Sequence, residues 1–179
     1  MGELRHEVGD SVLEVIKGDI TKQDTDVIVN AANSRLSAGG GVSGAIHGAA
    51  GPELEKECLK LGGCPTGDAR ITKGYKLKAK YVVHTVGPVY SGGDSDSINL
   101  RSCYYSSMKL AGENGAGSIA FPAISAGIFG YPLKDAAKIA IKTIIEYFRE
   151  RRDIKLARIV VFSDDDYKVF AEVFNRITR

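Results

Sequence analysis

The chain has 179 residues, the length of one ordinary domain, so we expect a single domain over residues 1–179. Its charges nearly balance, with 24 Lys and Arg against 22 Asp and Glu, and this excludes the segregated basic excess that is typical of a nucleic-acid-binding tail. Apolar residues make up 44% of the chain and charged residues 26%, which excludes a largely disordered protein.

Short apolar runs predict the strands. The run over residues 26–30 is almost unbroken, a pattern typical of a strand that is buried on both faces of a sheet covered by helices. The other predicted strands cover residues 11–16, 69–72, 80–86, 117–122 and 157–162.

Helices are predicted between the strands. The clearest covers residues 132–151, where apolar residues recur with the three-four spacing of one buried helix face. Residues 91–97, which are Gly, Asp and Ser, are predicted to form a flexible surface loop. Because strands and helices alternate, we expect a three-layer α/β/α domain with a mostly parallel sheet. The other predicted helices cover residues 42–50, 52–61, 99–111 and 165–177.

The cysteines and the start of the chain indicate the compartment. The three cysteines are odd in number and show no C-x-x-C spacing, which argues against a disulfide framework and a structural zinc site. Residues 1–6 carry no apolar stretch of the kind that a signal peptide needs, and no run of 18 apolar residues predicts a membrane span. We therefore expect a cytoplasmic protein without a bound metal.

Two clusters of glycines each follow a predicted buried strand. The first lies between residues 39 and 51, and the second is the loop over residues 125–130. Bare backbone N–H groups at the start of a helix attract phosphate, and ligands bind at the carboxyl ends of parallel strands. The two loops are thus predicted to hold a diphosphate from both sides. The alternative is that these glycines only make tight turns and let a helix pack closely on the sheet.

Other phosphate and hydrolase motifs fit poorly. There is no P-loop, and the G-x-G-x-x-G match at Gly39, Gly41 and Gly44 begins about eight residues after its strand, too late for a Rossmann fingerprint. Residues 123–127 approach the G-x-S-x-G motif of serine hydrolases but lack its first glycine. A triad would need His47 or His84, and His84 is interpreted as a hydrogen-bonded core residue within a strand.

Five motifs resemble the macrodomain family in identity and order. They are GDIT at residues 18–21, VNAANS at 29–34, GGGV at 39–42, HTVGP at 84–88 and FPAISAGIFGYP at 121–132. Residues 48–52 and 64–67 further resemble the MacroD-type branch. The resemblance implies a mixed, largely parallel sheet between helices and a cleft for ADP-ribose at the strand ends. It also implies ADP-ribosylated proteins as partners. We further expect a monomer without a cofactor, and the near-neutral charge argues against RNA binding, which is a third, more distant alternative.

The resemblance assigns ligand-binding residues along this cleft. Asp19 and the N–H of Ile20 are expected to bind adenine, and Phe162 to stack on it; the alternatives are a simple turn for Asp19 and core packing for Phe162. Asn33 is expected to orient the distal ribose and Phe129 to cover it, while Asn30 fixes the loop through backbone bonds. The expected backbone donors to the diphosphate are Gly40, Gly41, Val42, Ser125, Ala126, Gly127, Ile128 and Phe129.

The resemblance also implies hydrolysis of ADP-ribosyl esters on proteins and of O-acetyl-ADP-ribose. The residues assigned to it are Asn33, Gly41, Ser43 and Phe129. MacroD-type proteins usually carry Asp where Ser43 stands, and a serine hydroxyl is a poor base at neutral pH. Loss of a general base costs roughly 10²–10⁴ in rate. We therefore expect a slower hydrolase in which the substrate's phosphate holds the attacking water. The alternative is a non-catalytic module that only binds ADP-ribose.

Overall fold

Seven strands and five α-helices make up the described part of the computed structural model, residues 4–179. Residues 1–3 lie outside the described part. They belong to the N-terminal segment, residues 1–6, from which the absence of a signal peptide was predicted. The strands are β1 (Leu4–Val8), β2 (Ser11–Lys17), β3 (Val27–Ala31), β4 (Ala69–Lys73), β5 (Tyr81–Thr85), β6 (Ser118–Phe121) and β7 (Leu156–Val161). The helices are α1 (Gly41–Ala50), α2 (Pro52–Lys60), α3 (Asp94–Glu113), α4 (Leu133–Glu150) and α5 (Asp164–Ile177).

The strands form one mixed sheet in the order β1-β2-β7-β6-β3-β5-β4. The five central strands are parallel to one another, and the two edge strands, β1 and β4, are each antiparallel to the strand beside them. Strand β1 was missed by the sequence analysis because its charged side chains alternate with partly buried ones on an exposed edge. The predicted mixed, largely parallel sheet is confirmed.

Helices cover both faces of the sheet. Helices α3, α4 and α5 pack into one apolar cluster on one face, and α1 and α2 pack into a second cluster on the other. The unbroken apolar sequence of β3 is explained by its burial on both faces of the sheet. Val27 and Val29 belong to the first cluster and Ile28 to the second, and all three are fully buried. The three-layer α/β/α fold is therefore confirmed.

Helix α3 begins earlier than predicted, at Asp94 rather than at residue 99. The buried carboxylate of Asp96 accepts hydrogen bonds from the N–H groups of Ser91 (2.7 Å) and Gly92 (2.9 Å). These bonds fix the chain ahead of the helix, and acidic residues in a first turn are favoured by the helix dipole. The prediction of a flexible loop over residues 91–97 is thus wrong for 94–97. Within residues 4–179, no helix combines the length and the apolar character needed to cross a membrane.

Candidate ligand-binding cleft

The cleft lies where four neighbouring parallel strands, β2, β7, β6 and β3, end at the same edge of the sheet. The segments that follow them line two cavities, one of about 500 Å³ and one of about 320 Å³. The two cavities share Gly41, Val42, Ala123 and Gly127, so they are two ends of one cleft. The fold thus brings both glycine clusters to one ligand-sized space.

All thirteen predicted site residues line this cleft. Those around the larger cavity are Asp19, Ile20, Gly41, Val42, Ala126, Gly127 and Phe162. Those around the smaller cavity are Asn33, Gly40, Gly41, Val42, Ser43, Ser125, Gly127, Ile128 and Phe129.

Asp19 places a carboxylate in the larger cavity directly after β2. Its Oδ1 accepts from the N–H (2.9 Å) and the hydroxyl (2.7 Å) of Thr21, so that Asp19 caps the short 3-10 turn Ile20–Lys22. These bonds hold the pKa of Asp19 below its usual value, the hydroxyl bond contributing most. Oδ2 accepts no hydrogen bond from any residue between 4 and 179. Asp19 is therefore both a turn residue and an ionised acceptor with one oxygen available to a ligand.

Phe162 follows the last residue of β7, and 82% of its surface is exposed at the rim of the larger cavity. The alternative interpretation, that Phe162 packs in the core, is wrong. A large aromatic side chain that remains exposed beside an apolar cavity is available to stack on a flat ring.

Unused N–H groups meet between the two cavities. Helix α1 has no side-chain cap, and the N–H groups of Gly41, Val42 and Ser43 donate to no acceptor in the described chain. Gly41 has φ +55°, a conformation that favours glycine and lets the backbone approach a ligand. Free donors at the positive end of a helix dipole attract an anion.

The loop after β6 supplies the opposite wall, but with fewer donors than predicted. The N–H of Ala126 donates to the carbonyl of Ala123 (3.3 Å), which removes it from the predicted set of phosphate donors. The N–H groups of Gly127, Ile128 and Phe129 donate to no described residue. The hydroxyl of Ser125 donates to the carbonyl of Pro88 (2.8 Å), so no base activates it as a nucleophile.

Asn33 lies in the smaller cavity, and most of its amide is already bonded. Oδ1 accepts from the N–H groups of Arg35 (3.1 Å) and Ser37 (3.2 Å), and Nδ2 donates to the carbonyl of Ser37 (3.0 Å). Asn33 thus organises the loop that leads to the first glycine cluster. One hydrogen of the Asn33 amide remains to contact a ligand, so this side chain can donate a single hydrogen bond to the distal ribose.

The smaller cavity has no titratable side chain among its lining residues. The hydroxyl of Ser43 is buried and has no hydrogen-bond partner among residues 4–179. His47 lies one turn further along α1, and burial lowers its pKa, so the ring is neutral. A reaction in this cavity would therefore proceed without a protein carboxylate that acts as general base.

Asn30 and His84 form a buried polar contact behind the cleft. Nδ2 of Asn30 donates to Nδ1 of His84 (3.1 Å), and Nε2 of His84 lies 2.9 Å from the hydroxyl of Thr72. Burial lowers the pKa of His84 to about 3. The prediction that Asn30 fixes the loop by backbone bonds is wrong, because its amide bonds a side chain instead. The interpretation of His84 as a hydrogen-bonded core residue is confirmed.

Asp166 is a cleft residue that the sequence analysis missed. It lines the larger cavity near Phe162, and its N–H donates to the hydroxyl of Ser163 (3.1 Å) at the start of α5. Asp166 falls at the start of the helix predicted over residues 165–177, and no motif marked it as a cleft residue. The helix is confirmed as α5. Its start reaches the cleft through the order of the strands, which the residues around Asp166 do not indicate.

Comparison with known proteins identifies the family of this chain. A model of the Macro domain matches residues 29–140. A macro domain-containing protein of Chlorobaculum tepidum is 53% identical over 160 residues, which cover 89% of this chain and 93% of that protein. The ADP-ribose glycohydrolase MACROD2 of Xenopus laevis is 51% identical over 163 residues, which cover 89% of this chain and 39% of that protein.

Solved structures agree with this assignment. The Oceanobacillus iheyensis macrodomain with ADP is 42% identical with a TM-score of 0.93, covering 98% of this chain and 96% of that one. The Trypanosoma brucei macrodomain in complex with ADP-ribose is 43% identical with a TM-score of 0.85, covering 89% of this chain and 68% of that one. The chain therefore belongs to the macrodomain family.

Proposed function

We propose that the cleft binds ADP-ribose, with adenine in the larger cavity and the distal ribose in the smaller one. The observation that carries this proposal is the order of groups along the cleft. Asp19 and Phe162 stand at one end, the unused N–H groups of two glycine loops in the middle, and Asn33 and Phe129 at the other end. Two structural relatives are named as complexes with ADP or ADP-ribose.

The diphosphate is expected to be bound by the backbone alone. Among residues 4–179, no Lys or Arg lines either cavity. Binding would therefore rest on N–H donors and the dipole of α1, which are fixed in place by the fold. This supports a diphosphate at the shared wall, where Gly41 and Gly127 contribute to both cavities.

We further propose that the protein hydrolyses esters of ADP-ribose, on acidic side chains of proteins and in O-acetyl-ADP-ribose. Water adds to the ester carbonyl, the bond to the ribose oxygen breaks, and a carboxylic acid and a ribose hydroxyl are released. Because the smaller cavity lacks a titratable side chain, the substrate's own phosphate would hold the water. The related MACROD2, named as an ADP-ribose glycohydrolase, supports an enzyme.

The second candidate is a binding module without catalysis. It is favoured by Ser43, whose buried hydroxyl has no partner in the described chain and cannot replace a carboxylate as a base. Both candidates predict ADP-ribose binding, and only the first predicts turnover.

The deciding experiment is calorimetry with ADP-ribose followed by a turnover assay of the same sample on mono-ADP-ribosylated protein. An active homologue serves as the control, and release no faster than in buffer leaves only the binding module. Asn33→Ala should reduce turnover more than affinity if the protein is an enzyme, because Asn33 lines the smaller cavity, where the proposal puts the distal ribose, and not the larger one, where it puts the adenine.

The expected setting is the cytoplasm, with the protein acting as a monomer on ADP-ribosylated proteins. All three cysteines, Cys58, Cys64 and Cys103, are buried and free. Burial raises the pKa of each thiol, to about 11 for Cys58 and Cys103, so none is poised to act as a nucleophile.

A further inference from the structure

A groove of about 590 Å³ lies between α3 and α4 and shares no lining residue with the cleft. We refer to it as the α3–α4 groove. Tyr90 and Tyr131 line it, together with Ile98 of α3 and Lys138 and Lys142 of α4.

The groove begins where the smaller cavity ends. The N–H of Tyr90 donates to the carbonyl of Phe129 (2.9 Å), and the N–H of Tyr131 donates to the carbonyl of Ser125 (2.9 Å). The rings of Tyr90 and Tyr131 meet edge to face, with 4.9 Å between their centroids. These two rings line the groove, while their backbones hold the loop that lines the cleft. The two sites are therefore neighbours.

Exposed apolar side chains lie in the groove and on the two chain segments that join it to the cleft. Ile98 is 67% exposed in the groove, and Val89 and Ile128, which precede Tyr90 and Phe129 in the chain, are 65% and 100% exposed. Single exposed apolar residues are normal, but three of them in and beside one groove favour an interaction surface.

Charged side chains of both signs line the groove. Lys138 and Lys142 lie one turn apart on α4, and neither they nor Asp94 and Asp135, which also line the groove, form an ion pair within residues 4–179. Arg101 pairs with Glu146, and the buried carboxylate of Asp96 is used by the N–H groups ahead of α3. The groove can therefore offer a partner apolar contact together with two unpaired lysines and two unpaired carboxylates.

We propose that the α3–α4 groove binds the polypeptide that carries the ADP-ribosyl group. The proposal rests on the proposed function, which places the distal ribose in the smaller cavity. A polypeptide joined to that ribose leaves the cleft at this end, and the groove is the concave surface next to it. An apolar side chain near the modified residue packs on Tyr90 and Ile98, and an acidic one pairs with Lys138 or Lys142.

The test compares free ADP-ribose with a peptide that bears ADP-ribose through an amide in place of the ester, so that binding is measured without turnover. The peptide carries apolar and acidic residues beside the modified position. Calorimetry should show that the protein binds the peptide roughly 10-fold more tightly than free ADP-ribose. This factor corresponds to the added free energy of one apolar and one ionic contact at the surface. The double variant Ile98→Ser/Lys142→Glu should lose this advantage and bind free ADP-ribose as before.

The matched control is Leu59→Ser/Lys60→Glu, an exposed apolar and cationic pair at the end of α2 away from the groove, which should keep the full advantage. Two results would overturn the groove proposal and leave the proposed function standing. One is equal affinity of the unaltered protein for the peptide and for free ADP-ribose. The other is a double variant, Ile98→Ser/Lys142→Glu, that still binds the peptide more tightly than free ADP-ribose. If the unaltered protein does not bind ADP-ribose, the proposed function and the groove proposal both fall.

Discussion

Asp19 brings a negative charge to a cavity that is proposed to receive a ligand with a negative diphosphate. The charge is useful only if it recognises a donor, and the amino group of adenine is one. Because hydrogen bonds from Thr21 lower the pKa of Asp19, the carboxylate is ionised throughout the neutral range. Affinity for ADP-ribose should therefore not change between about pH 5 and 8 through this group, and should fall only as the pH drops through the lowered pKa.

Replacing Asp19 by Ala should weaken ADP-ribose binding by roughly 10- to 100-fold, the range for a hydrogen bond to a charged group. The substitution also removes the cap of the 3-10 turn, so unfolding should become easier by about 1 kcal/mol. Calorimetry measures the affinity. The control is Asp24→Ala, whose side chain is 86% exposed and lies outside the cleft. Equal affinities for the two variants would contradict the assignment of Asp19 to adenine.

Ser43 is the position where a carboxylate is missing. Ser43→Asp would place an ionisable group in a cavity wall that has none. Hydrolysis of ADP-ribosylated protein should become roughly 10- to 100-fold faster, somewhat below the contribution of a well-placed base, because the site is not built around the new side chain. Single-turnover kinetics measure the rate. An unchanged rate would show that the absent carboxylate does not limit the reaction.

Placement along the chain could be predicted for these residues, whereas their hydrogen bonds could not. Phe162 and Asp19 lie where the motifs indicated. Ser125, however, adopts φ +63° and its hydroxyl donates to the carbonyl of Pro88, and the amide of Asn33 bonds its own loop. The bond of Ser125 joins segments that are distant in sequence, and the bonds of Asn33 depend on how the chain turns back on itself within a few residues, so the motifs alone report neither.

Two of the three glycines in helix α1, Gly44 and Gly48, differ in the space that a side chain would find. A Cβ on Gly44 would lie 2.6 Å from the carbonyl oxygen of Gly39, inside the first glycine cluster, whereas one on Gly48 would meet nothing within 4 Å. Gly44→Ala should therefore displace this loop, lower the free energy of unfolding by roughly 1–3 kcal/mol and weaken ADP-ribose binding.

The control for Gly44→Ala is Gly48→Ala, one turn along the same helix. It should raise the free energy of unfolding by roughly 0.5–1 kcal/mol and leave binding unchanged, because alanine is the better helix former. Urea unfolding and calorimetry test both variants. Equal effects at the two positions would argue against a packed contact between α1 and the loop.

The neutral, buried His84 of β5 contacts a side chain on each neighbouring strand, Asn30 on β3 and Thr72 on β4. Its pKa is lowered from 6.5 to about 3, so between these values the unfolded chain binds the extra proton and stability falls as the pH falls. The loss is at most about 1.4 kcal/mol per pH unit, or up to about 2 kcal/mol at pH 5. His84→Gln should flatten urea-measured stability between pH 7 and 5. An unchanged slope would mean that another group is responsible.

Elements with a clear apolar pattern could be predicted to within one or two residues, as β3 and α4 show. Two elements could not. Strand β1 lies at the edge of the sheet, where charged side chains conceal the pattern. The first turn of α3 is polar, and its helical conformation depends on the buried bonds of Asp96.

At the scale of the molecule, the cleft is a consequence of topology. The parallel strands β2, β7, β6 and β3 are neighbours although they are far apart in the chain, and their carboxyl ends meet at one edge. The sequence predicts a parallel sheet and two glycine loops, but strand order is set by the packing of all helices together. A cleft at the strand ends could therefore be predicted, but its division into two connected cavities and the groove beside them are seen only in the structure.

The most direct test is a crystal structure of the protein soaked with ADP-ribose. The account predicts adenine between Phe162 and Asp19, the diphosphate against the N–H groups of Gly41, Val42 and Gly127, and the distal ribose beside Asn33 and Phe129. A cleft that stays empty at a saturating concentration, or a nucleotide that lies in the reverse direction, would contradict it.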